Sequence, residues 1–100
     1  MRSGYQKGKH ILVIPMKITS VRVLTIHEGN LVAYADITID HSFVIRDLQI
    51  FRRPRGYLVA MPQVRQEDGK YREVAFAINA KTRKMIEAAV IAEYRKAVGK

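Results

Sequence analysis

The stretch from Asn79 to Lys96 constrains the fold most, because it is the one segment long and regular enough to predict a helix by itself. Asn79 suits the N-cap position, where a side-chain oxygen accepts one of the backbone N–H groups that a helix start leaves unpaired. Good helix formers follow, and neither glycine nor proline interrupts them before Gly99. We therefore predict a single C-terminal helix, preceded by segments that form strands.

The predicted helix has two distinguishable faces. Spacings of three and four residues define one face that is suited to packing on a sheet, and it consists of Thr82, Ile86, Ala89, Val90 and Ala97. The other face carries cations beside a modest apolar strip, and it consists of Lys81, Lys84, Ala88, Ile91 and Arg95. We interpret this second face as the candidate working surface, the alternative being that its charges only keep the helix solvated.

The segments before the helix are rich in β-branched residues and alternate as half-buried strands do. The predicted strands are Lys17 to Thr25, Leu31 to Ile39, Phe43 to Phe51, Tyr57 to Met61 and Tyr71 to Ile78. Turn-forming residues separate them, among them Glu28-Gly29-Asn30 and Asp68-Gly69. Five strands followed by a helix predict an α+β domain, in which a small antiparallel meander has the C-terminal helix packed on it.

The residues before Met16 have two interpretations. On the first interpretation Met16, which directly follows Pro15, is an alternative translation start, residues 1–15 are a dispensable extension and residues 16–98 are the single domain. Alternatively, Ile11 to Ile14 forms an extra edge strand. This apolar run is too short for a secretory signal peptide.

The charge of the chain favours an acidic partner. Lys and Arg total 18 against 9 for Asp and Glu, which gives a net charge of +9. Nucleic acid is the commonest such partner, because each cation placed on a phosphate releases condensed counterions. The chain has no Trp, no Cys and no apolar run of membrane-spanning length, so we expect no membrane binding. Absence of Cys also fits a cytoplasmic protein.

Two groups of cations are candidate phosphate contacts. Lys81, Arg83 and Lys84 fall at the predicted helix start, where free N–H groups and the helix dipole also favour an anion. Arg52, Arg53 and Arg55 fall on a predicted turn without a nearby acid. They would add a second patch if the fold or a dimer brings the turn to the same side, and otherwise they form an ordinary polar loop.

No catalytic chemistry is visible in the sequence. It contains no glycine-rich phosphate loop, no nucleophile elbow and no histidine pair at metal-ligand spacing. We therefore predict no enzyme activity, no cofactor, no metal and no small-molecule substrate. Most aromatic residues are expected to pack in the core or on the sheet, although strand aromatics can also stack unpaired bases.

Several sequence blocks occur in an order that resembles one family. They are M-K-I-T-S-V-R-V from Met16, G-Y-L-V-A-M-P from Gly56, D-G-K-Y-R-E-V-A from Asp68, I-N-A-K-T-R from Ile78 and A-V-I-A-E-Y from Ala89. From Met16 to the Tyr94 region the chain resembles the stage V sporulation protein G (SpoVG) family of small bacterial regulators. The resemblance implies a homodimer that binds DNA and RNA and regulates gene expression or septation.

The resemblance also implies particular contact residues for nucleic acid. Carried onto this sequence, they are Arg65 and Arg72 in the approach to the helix, and Thr82 and Arg83 at its start. Two departures affect this set. Phe76-Ala77 stands where members commonly have His-Pro, and Lys84-Met85 stands where they have Gly-Lys. The lysine is thus displaced by about 100° around the helix, and we expect its contact to be re-aimed.

Two other classes of protein remain as alternatives. A protein-interaction module would use an exposed strand edge such as Phe43 to Phe51, and its positive charge would serve only solubility. A small enzyme acting on a nucleotide is the other alternative, although the sequence shows no acid/base group for it.

Overall fold

Four antiparallel strands and one helix form the body of the computed structural model, which describes residues 16–99. The strands β1 (Ile18–Glu28), β2 (Leu31–Ile39), β3 (Phe43–Arg53) and β4 (Gly56–Ala60) form one sheet in that order. A separate hairpin consists of β5 (Gln63–Arg65) and β6 (Tyr71–Glu73), and the helix α1 (Ala80–Val98) follows. The predicted α+β fold, with a C-terminal helix packed on an antiparallel sheet, is confirmed. Both interpretations of residues 1–15 lie outside the described residues.

The predicted fifth strand, Tyr71 to Ile78, is wrong over most of its length. Only Tyr71–Glu73 is a strand, and it pairs with β5 rather than with the four-stranded sheet. Beyond it, Val74, Phe76 and Ile78 continue the apolar alternation but are 52%, 58% and 88% exposed. Alternation indicates which residues share a face, but a strand also needs a partner ladder. Among the described residues this pairing ends at Val74, whose N–H donates to the carbonyl of Pro62 at 2.9 Å.

A second correction concerns the strand Phe43 to Phe51, which was predicted to offer an exposed edge. In the structure β3 lies between β2 and β4, and its Gln49–Arg53 part pairs with β4. Among the described residues, the edge of β3 that faces β4 lacks a ladder partner only over residues 43–48. An edge-binding partner would therefore have six of the nine predicted residues to pair with.

Both ends of α1 are determined by local chemistry. Asn79 has extended backbone angles, and its Oδ1 accepts a hydrogen bond from the backbone N–H of Thr82 at 2.8 Å. This confirms the predicted N-cap. At the other end Gly99 has a φ of 77°, where the absence of a Cβ matters, and its N–H donates to carbonyls of the last turn. Within residues 16–99 no helix is long and apolar enough to cross a membrane.

The core lies between α1 and one face of the sheet. The sheet contributes Ala33, Ala35, Ile37, Leu48, Ile50 and Val59, and the helix contributes Ile86, Val90 and Tyr94. Ile86 and Val90 confirm the predicted core face, but Ala97 is exposed. The buried stripe advances in steps of four residues, through Tyr94 to Val98, and each step rotates it about 40° around the axis. This drift leaves Ala97 outside the core.

A β-bulge in β3 sets which of its residues reach the core. Ala35 pairs with Leu48 and Ile37 with Ile45, so two residues of β3 lie opposite Asp36. Asp47 within the bulge has a φ of 67°, and its backbone N–H donates to Asp36 Oδ1 at 3.1 Å. The extra residue keeps Ile45 and Leu48 on the same face although they are three residues apart.

Candidate nucleic-acid interface

Lys81 and Lys84 are the most available cations at the start of α1. Both side chains are exposed, and the first turn contains no acidic residue. The cap accepts only the N–H of Thr82, and the N–H of Arg83 is bonded to the carbonyl of Asn79 at 3.1 Å. The earlier N–H groups of the turn carry the positive end of the helix dipole, which favours an anion there. Two exposed ammonium groups and this dipole suit a phosphate.

Arg83, although it lies between these lysines, is engaged within the chain. Its Nε donates to Glu87 Oε2 at 3.3 Å, and its guanidinium reaches the carbonyl oxygen of Val59 at 3.5 Å. The carboxylate partly compensates its charge, and the second contact links α1 to the outer strand β4. We therefore assign Arg83 a smaller share of phosphate binding than its neighbours.

Thr82 lies on the core side of the helix start. It is half-buried and lines an apolar hollow of about 230 Å³ together with Leu48, Met61 and Ile86. Its backbone N–H is already bonded to Asn79. The structure thus separates Thr82 from the exposed lysines that were predicted to share its site.

The arginines at the β3–β4 connection were all predicted to lie on a turn, and for two of them this is wrong. The ladder continues to the pair Arg53 and Gly56, so the turn consists of Pro54 and Arg55 alone. Proline followed by one residue closes such a tight reversal, which allows the strands to extend further than the Pro signal indicated. Arg55 remains an exposed cation on the turn.

Arg52 and Arg53 point to opposite faces of the sheet because they are consecutive residues of one strand. Arg52 lines a hollow on the helix side together with His27, Tyr94 and Val98. Arg53 lies on the other face, with its guanidinium carbon 5.7 Å from the centroid of the Phe51 ring. They do not form one phosphate-binding group.

Arg95 connects the cationic flank of α1 to the β3–β4 turn. Its guanidinium carbon is 5.6 Å from the centroid of the Tyr57 ring, and Tyr57 also meets the ring of Tyr94 at 5.1 Å. Lys84 and Arg95 are eleven residues apart, which places them on one side of the helix and about 16 Å apart along its axis. Since Tyr57 closely follows Arg55, the turn lies near this flank, and we name Lys81, Lys84, Arg95 and Arg55 the helix-flank cations.

Arg65 and Arg72 lie on the β5–β6 hairpin and face away from each other. Arg65 pairs with Tyr71, whereas Arg72 pairs with Val64. Cross-strand partners share a face, so the two arginines lie on opposite faces of the hairpin. Arg65 is on the side of Tyr71 and Gln63, which border the open face of the sheet. Within residues 16–99, the candidate cations therefore do not all gather on one surface.

The open face of the sheet holds a cleft that sequence reasoning missed. Of the aromatic residues between 16 and 99, Tyr94 is buried and Tyr34, Phe51 and Tyr57 are half-buried on the sheet, whereas Phe43, Tyr71 and Phe76 are exposed. Tyr34 and Phe51 are half-buried on the open face, and Tyr71 reaches the same cleft from the hairpin. The alternation in β2 already placed Tyr34 opposite the apolar face, but the position of Tyr71 depends on tertiary structure.

Comparison with known proteins gives a consistent result. The SpoVG family model matches residues 16–96. A Myxococcus xanthus protein named "Putative septation protein SpoVG" is 43% identical over 81 residues, which is 81% of this chain and 82% of that protein. A protein of the same name from Shouchella clausii is 45% identical over 82 residues, which is 81% of this chain and 84% of that protein. The matched range contains every strand and nearly all of the helix described above.

Proposed function

The chain belongs to the SpoVG family, and from this premise we propose that it is a cytoplasmic, homodimeric regulator that binds nucleic acid and catalyses no reaction. Its relatives are named for septation, so regulation of gene expression or of septation is the process proposed. The observation that carries the proposal is the exposed pair Lys81 and Lys84 at a helix start whose first turn lacks any acid.

Phosphate contacts would supply most of the affinity. The helix-flank cations, together with the free N–H groups at the helix start, offer about five positions for phosphate oxygens. Neutralising about five phosphates of duplex DNA gives a slope of log affinity against log salt near −4 to −5. The net charge of +9 would add long-range attraction toward a polyanion.

Fluorescence anisotropy with labelled duplex DNA at several salt concentrations tests the proposal. The double variant Lys81→Ala and Lys84→Ala should bind more weakly, with a salt slope shallower by about two, because two phosphate contacts are removed. Arg83→Ala is the matched control, since it removes a neighbouring cation that already contacts Glu87 and Val59. Arg83→Ala should change the salt slope by less than Lys81→Ala or Lys84→Ala does alone.

Two outcomes would reject this interface. Wild-type protein that fails to bind at low salt would refute nucleic-acid binding itself. Binding that is indifferent to the double lysine change would move the interface away from the helix start. Binding of a protein partner that survives high salt and depends on residues 43–48 would favour the strand-edge interaction module instead.

An apolar strip between β6 and α1 supports the homodimer. Val74, Phe76 and Ile78 are exposed there, and Met85 on the helix is 36% exposed. Contiguous exposed apolar surface is typical of interaction sites. The β5–β6 hairpin before the strip bears three cations and three carboxylates, namely Arg65, Lys70, Arg72, Glu67, Asp68 and Glu73. Because the charges of the β5–β6 hairpin sum to zero, two copies of this basic chain could approach there without net electrostatic repulsion.

Residues 16–99 are less compact than a monomeric domain of their length, which agrees with a dimer. The radius of gyration of residues 16–99 is 16.1 Å, whereas a compact domain of that length has about 12 Å. Sedimentation velocity of a Phe76→Ser and Ile78→Ser variant should show monomers under conditions in which the wild type is dimeric. Leu24→Ser is the control, because Leu24 is 66% exposed but lies away from the strip. A wild-type monomer at high concentration would refute the dimer.

A further inference from the structure

The face of the sheet that α1 leaves uncovered carries a trough with no role in the function proposed above. One hollow of about 560 Å³ is lined by Tyr34, Asp47, Gln49, Phe51, Gln63 and Tyr71. A neighbouring hollow of about 320 Å³ shares Tyr34 and Asp47 with it and extends to Arg22 and Leu24. The larger hollow falls within the roughly 300–1,000 Å³ typical of ligand pockets. Because the two hollows share residues, they form one elongated trough.

The lining combines aromatic rings with amides. Tyr34 and Phe51 are half-buried, so their rings are held by the sheet, while Tyr71 is 65% exposed on the hairpin. Gln49 lies directly across the β2–β3 ladder from Tyr34, and Gln63 stands at the start of the hairpin. Aromatic rings stack on the faces of unpaired bases, and amides can both donate to and accept from base edges. Such a lining suits a planar, polar-edged ligand.

Three arginines surround the trough. Arg53 stands 5.7 Å from the centroid of Phe51, Arg65 is the cross-strand partner of Tyr71, and Arg22 lines the smaller hollow. Within residues 16–99 none of the three forms an ion pair within 4.0 Å. These guanidinium groups are positioned for a phosphate backbone that runs along the border of the trough.

Two carboxylates inside the trough indicate how a strand would be oriented. Asp36 and Asp47 both line the smaller hollow, and Asp47 also lines the larger one. Carboxylates repel phosphates but accept hydrogen bonds from the N–H groups of bases. Bases would therefore point into the trough while the phosphates stay near the arginines.

We propose that this trough binds the unpaired bases of single-stranded nucleic acid, with Tyr34, Phe51 and Tyr71 as stacking surfaces and Arg22, Arg53 and Arg65 as phosphate contacts. The proposal rests on the proposed function, since it takes nucleic acid as the partner, but it assigns single strands to the side of the sheet opposite α1. Paired bases of a duplex are stacked inside the helix and cannot enter the trough. The helix-flank cations would thus bind duplexes, and the trough would bind single strands.

A second copy of the chain is a less suitable occupant of the trough. A symmetric contact uses the same patch on both copies, so here it would remove from water the carboxylates of Asp36 and Asp47 and the surrounding arginines of both copies. The apolar strip at Val74, Phe76 and Ile78 offers a second copy a surface without these charges.

Binding of a labelled short oligouridine, measured by anisotropy with Tyr71→Ala in the full chain, tests the proposal. Loss of one stacked base should weaken single-strand binding on the order of 5- to 100-fold. The salt slope should stay unchanged, because stacking releases no counterions, and duplex binding should also stay unchanged. Tyr71→Phe retains the ring and should bind oligouridine as the wild type does.

Phe43→Ala is the matched control, since Phe43 is 63% exposed at the far end of β3, outside the trough. Equal weakening of oligouridine binding by Phe43→Ala, or no weakening by Tyr71→Ala, would overturn the proposal that the trough binds single strands. If duplex binding still depends on Lys81 and Lys84, the proposed function would remain intact. Dissociation of a dimer by Tyr71→Ala in sedimentation would mean that a second copy covers the trough, and would also overturn it. Absence of any binding by the wild type would refute both proposals.

Discussion

The two faces of the four-stranded sheet are built from alternate residues of the same strands, yet they have opposite properties. The face beneath α1 presents Ile37, Leu48, Ile50 and Val59, each at most 1% exposed. The open face presents charged, amide and aromatic side chains, and its Leu24 is 66% exposed. The side chains on the helix-covered face therefore supply the stability of the domain, and those on the open face are free to vary with what the protein binds.

The largest effect expected from this comparison is on stability. Leu48→Ala removes a fully buried side chain from the helix-covered face, and we expect it to lower the free energy of unfolding by about 2–5 kcal/mol. Leu24→Ala makes the same chemical change on the open face and should stay within about 0.5 kcal/mol of the wild type. Urea unfolding followed by circular dichroism measures both values. Similar losses for the two variants would mean that the open face is covered in solution.

The features that the sequence predicted well depend on local chemistry. The alternation in β2 assigns Ala33, Ala35 and Ile37 to one face, and the structure buries all three. The N-cap at Asn79 needs only its own side chain and the N–H of Thr82, three residues away. Such patterns involve neighbours in the chain, so they are visible without knowledge of the fold.

The features that escaped prediction depend on partners distant in sequence. The strip at Val74, Phe76 and Ile78 has the alternation of a strand, but within residues 16–99 no ladder continues beyond Val74. The cleft requires the β5–β6 hairpin to bring Tyr71 next to Phe51, which no local pattern encodes. The same holds for the candidate cations, because the contact of Arg83 with the carbonyl of Val59 spans 24 positions in the sequence.

The smallest effect on stability is expected at Asp36, where a residue of the open face supports the packing of the other face. Asp36 belongs to the open face, yet its Oδ1 accepts the backbone N–H of Asp47 at 3.1 Å and so holds the β-bulge. That bulge keeps Ile45 and Leu48 together on the helix-covered face, so an open-face residue supports the packing of the core. Asp36→Ala should therefore cost about 0.5–1.5 kcal/mol of unfolding free energy, toward the lower end because the bond is exposed.

Asp36→Asn separates the hydrogen bond from the charge in this test. It keeps an oxygen acceptor for the Asp47 N–H and should unfold close to the wild type, while Asp36→Ala does not. If both variants lose the same stability, the carboxylate would act through its charge, for which Arg22, its cross-strand partner, is the nearest candidate. If neither variant loses stability, the strand ladder alone would hold the bulge, and Asp36 would not contribute to the stability of the domain.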